Sequence, residues 1–283
     1  MLEAKNLRVA LPDRSRKPVF GKPPLVEIIK GIDLQVSQGE CVGVVGESGS
    51  GKSTLARALI RLYQPTGGTL TFQGDDITNL GESALQPYRQ QMQMVFQDSQ
   101  SALNPRRTLG DILAEPFLVF GHARTAKEAA DNAADLITEV GLPKDFLKRY
   151  AHQLSGGQRQ RIGLARAIAL RPSLVIADEI VSGLDVSVQA QILELLNELR
   201  ARTGMGVVLI SHDLSVVRAV CDRIVVMRSG QVVETGDTKA VFAQPEHAYT
   251  RKLLRAIPLP EVDPHWLDTA DQDEEVGTAA AGG

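Results

Sequence analysis

The strongest indication of the fold in this sequence is the stretch Gly46-Glu47-Ser48-Gly49-Ser50-Gly51-Lys52-Ser53-Thr54. An apolar run over 41–45 precedes it and apolar residues at helical spacing over 52–62 follow it, which predicts a strand, a glycine loop and a helix. In that context, Gly-x-x-x-x-Gly-Lys-Ser predicts a phosphate-binding loop, or P-loop, rather than a chance glycine turn. The glycines let backbone N–H groups face phosphate oxygens. We expect Lys52 to reach the β- and γ-phosphates of a nucleoside triphosphate and Ser53 to coordinate Mg²⁺.

A second apolar run ends in two carboxylates, at Leu174-Val175-Ile176-Ala177-Asp178-Glu179. We predict a buried strand over 174–177, with Asp178 placed to hold Mg²⁺ through water. Successive strand side chains alternate, so Glu179 is expected to point elsewhere. This makes Glu179 the candidate general base for the water that attacks the γ-phosphate. A solvent-facing acidic strand end is the alternative, which the complete P-loop upstream disfavours.

Another glycine-containing segment, Leu154-Ser155-Gly156-Gly157-Gln158, precedes a predicted helix. Ser155 and Gln158 have the spacing of a capping box, so a purely structural interpretation exists. A capping box does not require two glycines, however. Gly156 and Gly157 expose the backbone N–H groups of the first turn, as close approach to a phosphate requires. The segment is therefore a candidate for a second phosphate-binding surface.

Strand and helix patterns alternate from Leu174 onward, which predicts a mostly parallel sheet covered by helices. Upstream, 2–10 and 26–36 have the pattern of strands. Residues from about 110 to 150 are predicted to be helix-rich. From 258 to 283 the chain holds seven carboxylates and no Lys or Arg, and we predict that this tail is largely disordered. The predicted amphipathic face in the helix-rich part consists of Ala126, Ala129, Ala130, Ala133, Ala134, Ile137 and Val140.

Composition disfavours several classes of protein. The 283 residues are 43% hydrophobic and 23% charged, and the net charge of −3 gives no electrostatic reason to expect nucleic acid as a partner. The two cysteines, Cys41 and Cys221, form no C-x-x-C pair, so we expect reduced core thiols. We recognise no secretory signal and no membrane-spanning run. Any membrane association is therefore expected to come through a partner.

Together these segments resemble the ATP-binding-cassette (ABC) ATPases. Leu154–Gln158 resembles the family signature, and Gln97 stands where the family has its Q-loop glutamine. Ser182-Gly183-Leu184-Asp185 resembles the D-loop, and His212 resembles the switch histidine. The resemblance covers about residues 2–257 and, as a joint pattern, it is very specific.

The resemblance implies a fold and a domain division. It implies an α/β fold with a P-loop NTPase (RecA-like) core, a mostly parallel sheet, an antiparallel β subdomain and a helical signature subdomain. The ABC ATPase domain is expected over residues 1–257, with the helical subdomain inserted at about 98–170. The acidic tail, 258–283, is expected to lie outside it.

The resemblance also implies a composite site for ATP and Mg²⁺. In a head-to-tail dimer, each ATP lies between the P-loop of one subunit and the signature of the other. Ser155–Gln158 and Asp185 are thus expected to contact an ATP that another chain holds. His212 is expected to contact the γ-phosphate, and Gln97 is expected to touch Mg²⁺ and the attacking water.

Two further stretches resemble the oligopeptide/dipeptide/nickel importer branch. One runs from Val95–Asp98 through Ser101–Arg106 to Ala114-Glu115-Pro116, and the other is His247–Leu254. They most resemble the second of the two ATPases in such importers. This implies a related, non-identical ATPase partner, two permease subunits, an indirect link to a solute-binding protein, and a peripheral place on the cytoplasmic face of the bacterial inner membrane. No cysteine follows Cys221, so the iron–sulfur centre of some members is not carried over.

The chain departs from its relatives at two positions. Leu11 stands where many have an aromatic residue that stacks on adenine, and the nearest aromatic is Phe20. Ile180 stands where the branch often has proline.

The expected function is ATP hydrolysis that energises import of peptides, with nickel or another small solute as alternatives. A single cassette without sustained heptads disfavours a non-transport ABC ATPase, and the signature and D-loop disfavour a kinase or GTPase. The segment 98–122 is expected to bear on the membrane subunits.

Overall fold

The computed structural model describes residues 1–13, 21, 23–97 and 103–256 of the chain. Its strands, in chain order, are β1 (Leu2–Pro12), β2 (Leu25–Val36), β3 (Cys41–Val45), β4 (Gly67–Phe72), β5 (Asp75–Asp76), β6 (Met92–Val95), β7 (Leu174–Asp178), β8 (Gly206–Ile210), β9 (Arg223–Arg228) and β10 (Gln231–Asp237). Its α-helices are α1 (Lys52–Leu59), α2 (Glu82–Gln91), α3 (Leu109–Val119), α4 (Ala126–Glu139), α5 (Gly156–Ile168), α6 (Val186–Thr203), α7 (Leu214–Val220), α8 (Thr238–Ala243) and α9 (Ala248–Arg255), with short 3₁₀ helices at Lys144–Lys148 and Ala151–Gln153.

The strands form two sheets. Six of them lie in the order β10-β9-β3-β8-β7-β6, in which every neighbouring pair is parallel except β9 and β10. The other four form an antiparallel sheet in the order β2-β1-β4-β5. The predicted α/β fold, with a mostly parallel core sheet and an antiparallel β unit, is confirmed.

The parallel strands are apolar without alternation because both faces of their sheet are covered. Along β7, Val175 and Ala177 pack into one core with α5 and α6, whereas Leu174 and Ile176 pack into a second core with α1 and the antiparallel sheet. Every residue of β3, β7 and β8 is buried. Because β3, β6, β7 and β8 run parallel, their C-terminal ends meet at one edge of the sheet. This edge positions the site.

The segment from 103 to 168, between β6 and β7, is helical in α3, α4 and α5. Thr108, Thr125 and Ser155 each cap one of these helices by accepting a hydrogen bond from a first-turn amide. The predicted amphipathic face of α4 is partly wrong, because Ala126 and Ala130 are exposed. Its buried side instead includes Leu136, together with Ala129, Ala133, Ile137 and Val140.

Several local predictions differ from the structure. The helix after the P-loop ends at Leu59 rather than near 62, because Arg61 takes a positive φ of 59°. The sequence pattern missed α2, β10 and α8. Phe20, 98–102 and the tail 258–283 lie outside the described residues, so the domain boundary at 257 and the tail's disorder stay predictions. No helix in the described ranges is long and apolar enough to cross a bilayer.

Candidate nucleotide site

The P-loop lies between β3 and α1, as the sequence predicted. Gly46, Gly49 and Gly51 have φ values of 149°, 80° and 104°, which L-residues with a side chain rarely adopt. A Cβ on Gly46 would also lie 2.2 Å from the carbonyl oxygen of Met227 on β9. The loop therefore needs glycine for both its backbone shape and its close contact with the neighbouring strand.

Lys52 is buried at the first position of α1, where it is 6% exposed. Its ammonium donates hydrogen bonds to the carbonyl oxygens of Gly46 at 2.7 Å and Glu47 at 3.0 Å. Burial lowers the pKa of Lys52, and the negative charges of Glu179 and Asp178 oppose that shift. A cation is thus held inside the loop, in a position from which a polyphosphate could draw it away from the two carbonyls.

Ser53 and Asp178 come together from α1 and the end of β7. The Ser53 hydroxyl donates to Oδ1 of Asp178 at 3.2 Å, and Asp178 is only 2% exposed. Burial raises the pKa of Asp178, although the Ser53 hydrogen bond and the charge of Arg57 oppose that shift. A hydroxyl oxygen beside a buried carboxylate is a donor set that suits Mg²⁺, which takes oxygen ligands and keeps several waters.

Glu179 leaves the strand sharply. β7 ends at Asp178, and Glu179 has a φ of 49°, in the left-handed region. The side chains of Asp178 and Glu179 therefore diverge because of this turn, and not because of the alternation along a strand that was expected from the sequence. One carboxylate oxygen of Glu179 accepts a hydrogen bond from the Gln97 amide at 2.7 Å and lies 3.4 Å from Nδ1 of His212. Glu179, Gln97 and His212 follow β7, β6 and β8, so the parallel sheet brings them to one point. Ile180, which stands where the importer branch often has proline, lies beyond the end of β7 and therefore does not affect that strand.

The signature segment begins α5. Ser155 and Gln158 form a full capping box, in which the Ser155 hydroxyl accepts from the Gln158 amide at 3.3 Å and the Gln158 side chain accepts from the Ser155 amide at 3.0 Å. The glycines also have a packing reason that the sequence did not reveal. A Cβ on Gly157 would lie 2.4 Å from Val188, and one on Gly156 would lie 2.9 Å from Leu184.

The D-loop residue Asp185 caps α6. Its carboxylate accepts from the Val188 amide at 3.0 Å and from the Ser187 hydroxyl at 2.8 Å. The hydrogen bond from the Val188 amide is the main cause that lowers the pKa of Asp185. The signature and the D-loop therefore form one packed unit, in which the first turns of α5 and α6 touch.

Two further residues bear on the site. Leu11, which stands at the expected adenine position, is partly buried against the core and pairs with the exposed Val26 across β1 and β2. Among the residues that the structure describes, none is therefore assigned to stacking on adenine. The second residue is Tyr249 on α9, whose hydroxyl accepts a hydrogen bond from the Glu47 amide of the P-loop at 3.0 Å. The feature of the sequence that could have indicated this contact is a tyrosine on the apolar side of a strongly basic helix.

Comparisons with known proteins identify the family to which the chain belongs. A family model described as ABC transporter matches residues 29–182, and one described as oligopeptide/dipeptide transporter, C-terminal region, matches residues 233–282. A protein of Brucella ovis is 45% identical over 238 residues, which is 84% of this chain and 75% of that protein. The oligopeptide transport ATP-binding protein OppF of Salmonella typhimurium is 41% identical over 264 residues, covering 93% of this chain and 79% of OppF.

Solved structures show the same fold. The dimeric post-hydrolysis state of the ATP-binding cassette MJ0796, bound to ADP and Pi, superposes with a TM-score of 0.73 at 29% identity, covering 84% of this chain and 99% of that one. The cassette cbiO1 from Clostridium perfringens, part of the ABC transporter complex cbiONQ, also has a TM-score of 0.73, at 26% identity, covering 91% and 95%. The chain therefore belongs to the ABC transporter family, as an ATPase with the C-terminal region of its oligopeptide/dipeptide branch.

Proposed function

We propose that the chain is the ATP-hydrolysing subunit of a membrane importer of peptides. One observation supports ATP hydrolysis most strongly. Glu179, Gln97 and His212 contact one another at the same edge of the parallel sheet as Lys52 and the Asp178–Ser53 pair. The peptide part is supported by the similarity to OppF, an oligopeptide transport ATP-binding protein, and by the match to the oligopeptide/dipeptide C-terminal region.

Glu179 acts as the general base in this proposal. Its side chain is 16% exposed, so water reaches it while most of its surface is screened. Gln97 and His212 orient the carboxylate through the contacts described above, and His212, with a side chain 59% exposed, remains accessible to a γ-phosphate. Gln97 is also placed to touch the attacking water.

The remaining P-loop residues bind the substrate. Backbone N–H groups of the P-loop, other than that of Glu47, which donates to Tyr249, would surround phosphate oxygens. Lys52 would move its hydrogen bonds from Gly46 and Glu47 to the β- and γ-phosphates. Ser53 and Asp178, with Gln97, would hold Mg²⁺, and the ion would supply positive charge that offsets the charge of the phosphates. Among the described residues no group of three or more His, Cys, Asp or Glu is placed to hold a metal.

The second half of each site comes from another subunit. Ser155–Gln158 and Asp185 contact an ATP bound to a related, non-identical ATPase, whose signature in turn covers the P-loop of this chain. The amides in the first turn of α5 point toward the helix N-terminus, the end of a helix that favours anions, and Ser155 lies there as the N-cap. Full turnover by a verified monomer would contradict this shared site.

The permease subunits dock beside Gln97. A groove of about 270 Å³ lies between β6, α2, α3 and α5 and is lined by Met94, Phe96, Leu103 and Phe120. Phe96 is 39% exposed, and Val119, at the end of α3, is 63% exposed. An apolar groove next to a catalytic residue fits a helix of a membrane subunit on the cytoplasmic face of the inner membrane.

Affinity purification of the tagged chain from detergent-solubilised membranes tests the assembly. We expect a second ATPase and two permeases to co-purify, and we expect Val119→Asp to release the permeases while Leu25→Asp, equally exposed but on β2, retains them. Recovery of a homodimer alone contradicts the heterodimer.

Stimulation of ATP turnover tests the solute. The purified complex is reconstituted in vesicles with its solute-binding protein loaded with short peptides or with Ni²⁺. We expect peptides to stimulate turnover. Stimulation by Ni²⁺ and not by peptides would reassign the importer to nickel.

A further inference from the structure

The C-terminal part of the chain makes a direct contact with the P-loop. Tyr249, on the first turn of α9, is 5% exposed although its helix carries several basic residues. Its hydroxyl accepts a hydrogen bond from the backbone N–H of Glu47, which is 202 residues away in sequence. This hydrogen bond ties the second residue of the P-loop to the region that the oligopeptide/dipeptide family model matches.

The local structure holds Tyr249 in that position. The Glu234 carboxylate on β10 accepts hydrogen bonds from the amides of Glu246 at 2.7 Å and His247 at 3.0 Å, which fixes the entry to α9. Nδ1 of His247 accepts from the Tyr249 amide at 3.1 Å and so caps the helix. The guanidinium of Arg228, at the end of β9, lies 5.0 Å from the centroid of the Tyr249 ring.

Glu47 is held from two sides. Tyr249 accepts from its N–H, and Lys52 donates to its carbonyl oxygen at 3.0 Å. When Lys52 turns to the phosphates, as in the proposed function, the carbonyl loses that partner and keeps the hydrogen bond from the Ser50 amide at 3.1 Å, which lies within the loop. The hydrogen bond to Tyr249 then ties the start of the loop to the C-terminal part of the chain. Further along the loop, the Ser50 carbonyl oxygen accepts from the Gly230 amide at 2.9 Å.

We propose that Tyr249 is a positioning residue for the P-loop, through which the C-terminal helix sets the affinity of the site for ATP. The proposal rests on the proposed role of Lys52 in binding the phosphates. Because coupling between two sites is reciprocal, ATP binding also stabilises α9 against local opening. The hydroxyl group, rather than the ring, carries this link.

Tyr249→Phe tests the proposal, since it removes the hydroxyl and keeps the ring. The matched control is Tyr88→Phe on α2, which removes a hydroxyl that donates to Asp75 at 3.0 Å, outside the P-loop. We expect the ATP dissociation constant and the KM of Tyr249→Phe to rise about three- to tenfold, the effect of one lost hydrogen bond, with kcat within twofold. Tyr88→Phe is expected to bind ATP like the wild type.

Two results overturn the proposal. One is unchanged ATP affinity in Tyr249→Phe, even if its melting temperature falls, because the hydroxyl would then only stabilise the fold. The other is an equal loss of affinity in both variants. Failure of the proposed phosphate-binding role of Lys52 is distinguishable, because then the wild type itself does not bind ATP. Failure of the importer assignment would leave the ATP affinities unchanged and would appear only in the co-purification and stimulation experiments.

Hydrogen exchange provides a measurement that does not depend on the variant folding. In the wild-type chain, a non-hydrolysable ATP analogue is expected to slow exchange of the α9 amides, over 248–255, at least threefold. If Tyr249→Phe folds, it should lose this protection. Exchange in α9 that is indifferent to the analogue in the wild type contradicts the proposal.

Discussion

Gly157→Ala separates two explanations for the signature glycines. Either they let a partner's phosphate approach the helix, or they let α5 pack on α6. The added methyl group would lie 2.4 Å from Cγ1 of Val188, where carbon contacts are ordinarily about 3.5–4.0 Å. The methyl group therefore points into the same chain, and alanine keeps the backbone N–H that a phosphate needs.

The magnitude follows from this overlap. Overpacking of this kind costs about 1–3 kcal/mol, while the better helix propensity of alanine returns about 0.5–1 kcal/mol. The free energy of unfolding should fall by about 1 kcal/mol, and by about 2.5 kcal/mol at most, which lowers the melting temperature by up to about 10 °C in a domain of this size. Gly163→Ala on the same helix is the control. Its Cβ would lie at an ordinary 3.5 Å from Val95, so it should be neutral or stabilising.

A double-mutant cycle with Val188→Ala isolates the contact. Urea unfolding without nucleotide should show that Val188→Ala relieves the penalty of Gly157→Ala, with a coupling energy of about 1–2 kcal/mol. ATP turnover of the assembled complex should be low in Gly157→Ala and should return toward that of Val188→Ala in the double variant. Recovered stability with turnover still low would refute the packing explanation and indicate that the methyl group blocks the partner's nucleotide.

Two further predictions concern buried titratable groups. Because burial raises the pKa of Asp178, the folded chain holds that proton more tightly than the unfolded chain, and stability falls as pH rises from 3.8, the ordinary value, through the raised pKa. Without Mg²⁺ and nucleotide, Asp178→Asn should thus be more stable than the wild type at pH 7, with a gap that narrows toward pH 4 in urea titrations; a pH-independent gap contradicts this. Cys41 and Cys221 are buried with their sulfurs 3.5 Å apart, and the hydrogen bond between the two thiols, together with burial, raises the pKa of the Cys221 thiol. A thiol reagent should label neither thiol in the native chain and both in urea, and rapid native labelling would contradict this.

The central sheet and the positions around it were predictable from sequence because their patterns are local. The run 41–45, the glycine loop and the helix after it are contiguous, and so are 174–178 and the carboxylates at their end. Gln97 and His212, in contrast, were identified through the resemblance to the ABC ATPases. In the structure they meet Glu179 because all three follow parallel strands of one sheet.

The remaining features depend on contacts between distant segments. The left-handed turn at Glu179 has no glycine to announce it, and its amide is held by the Ile210 carbonyl oxygen on β8 at 2.9 Å. Gly157 has a packing role only because Val188 lies opposite. Tyr249 lies within the stretch His247–Leu254 that resembles the importer branch, but its contact with Glu47 depends on how α9 docks. Such pairings are properties of the folded chain and leave no periodic signal in sequence.

The most direct test of the account is ATP turnover in Glu179→Gln, measured in the assembled complex with ATP binding measured in parallel. Glutamine keeps the shape of the side chain and cannot take a proton from water, so turnover should fall at least about 100-fold, the contribution of a general base. ATP affinity should stay within about threefold, whereas Lys52→Ala should weaken binding itself at least about tenfold. Turnover that survives in Glu179→Gln within a factor of a few would contradict the assignment of Glu179 as the base.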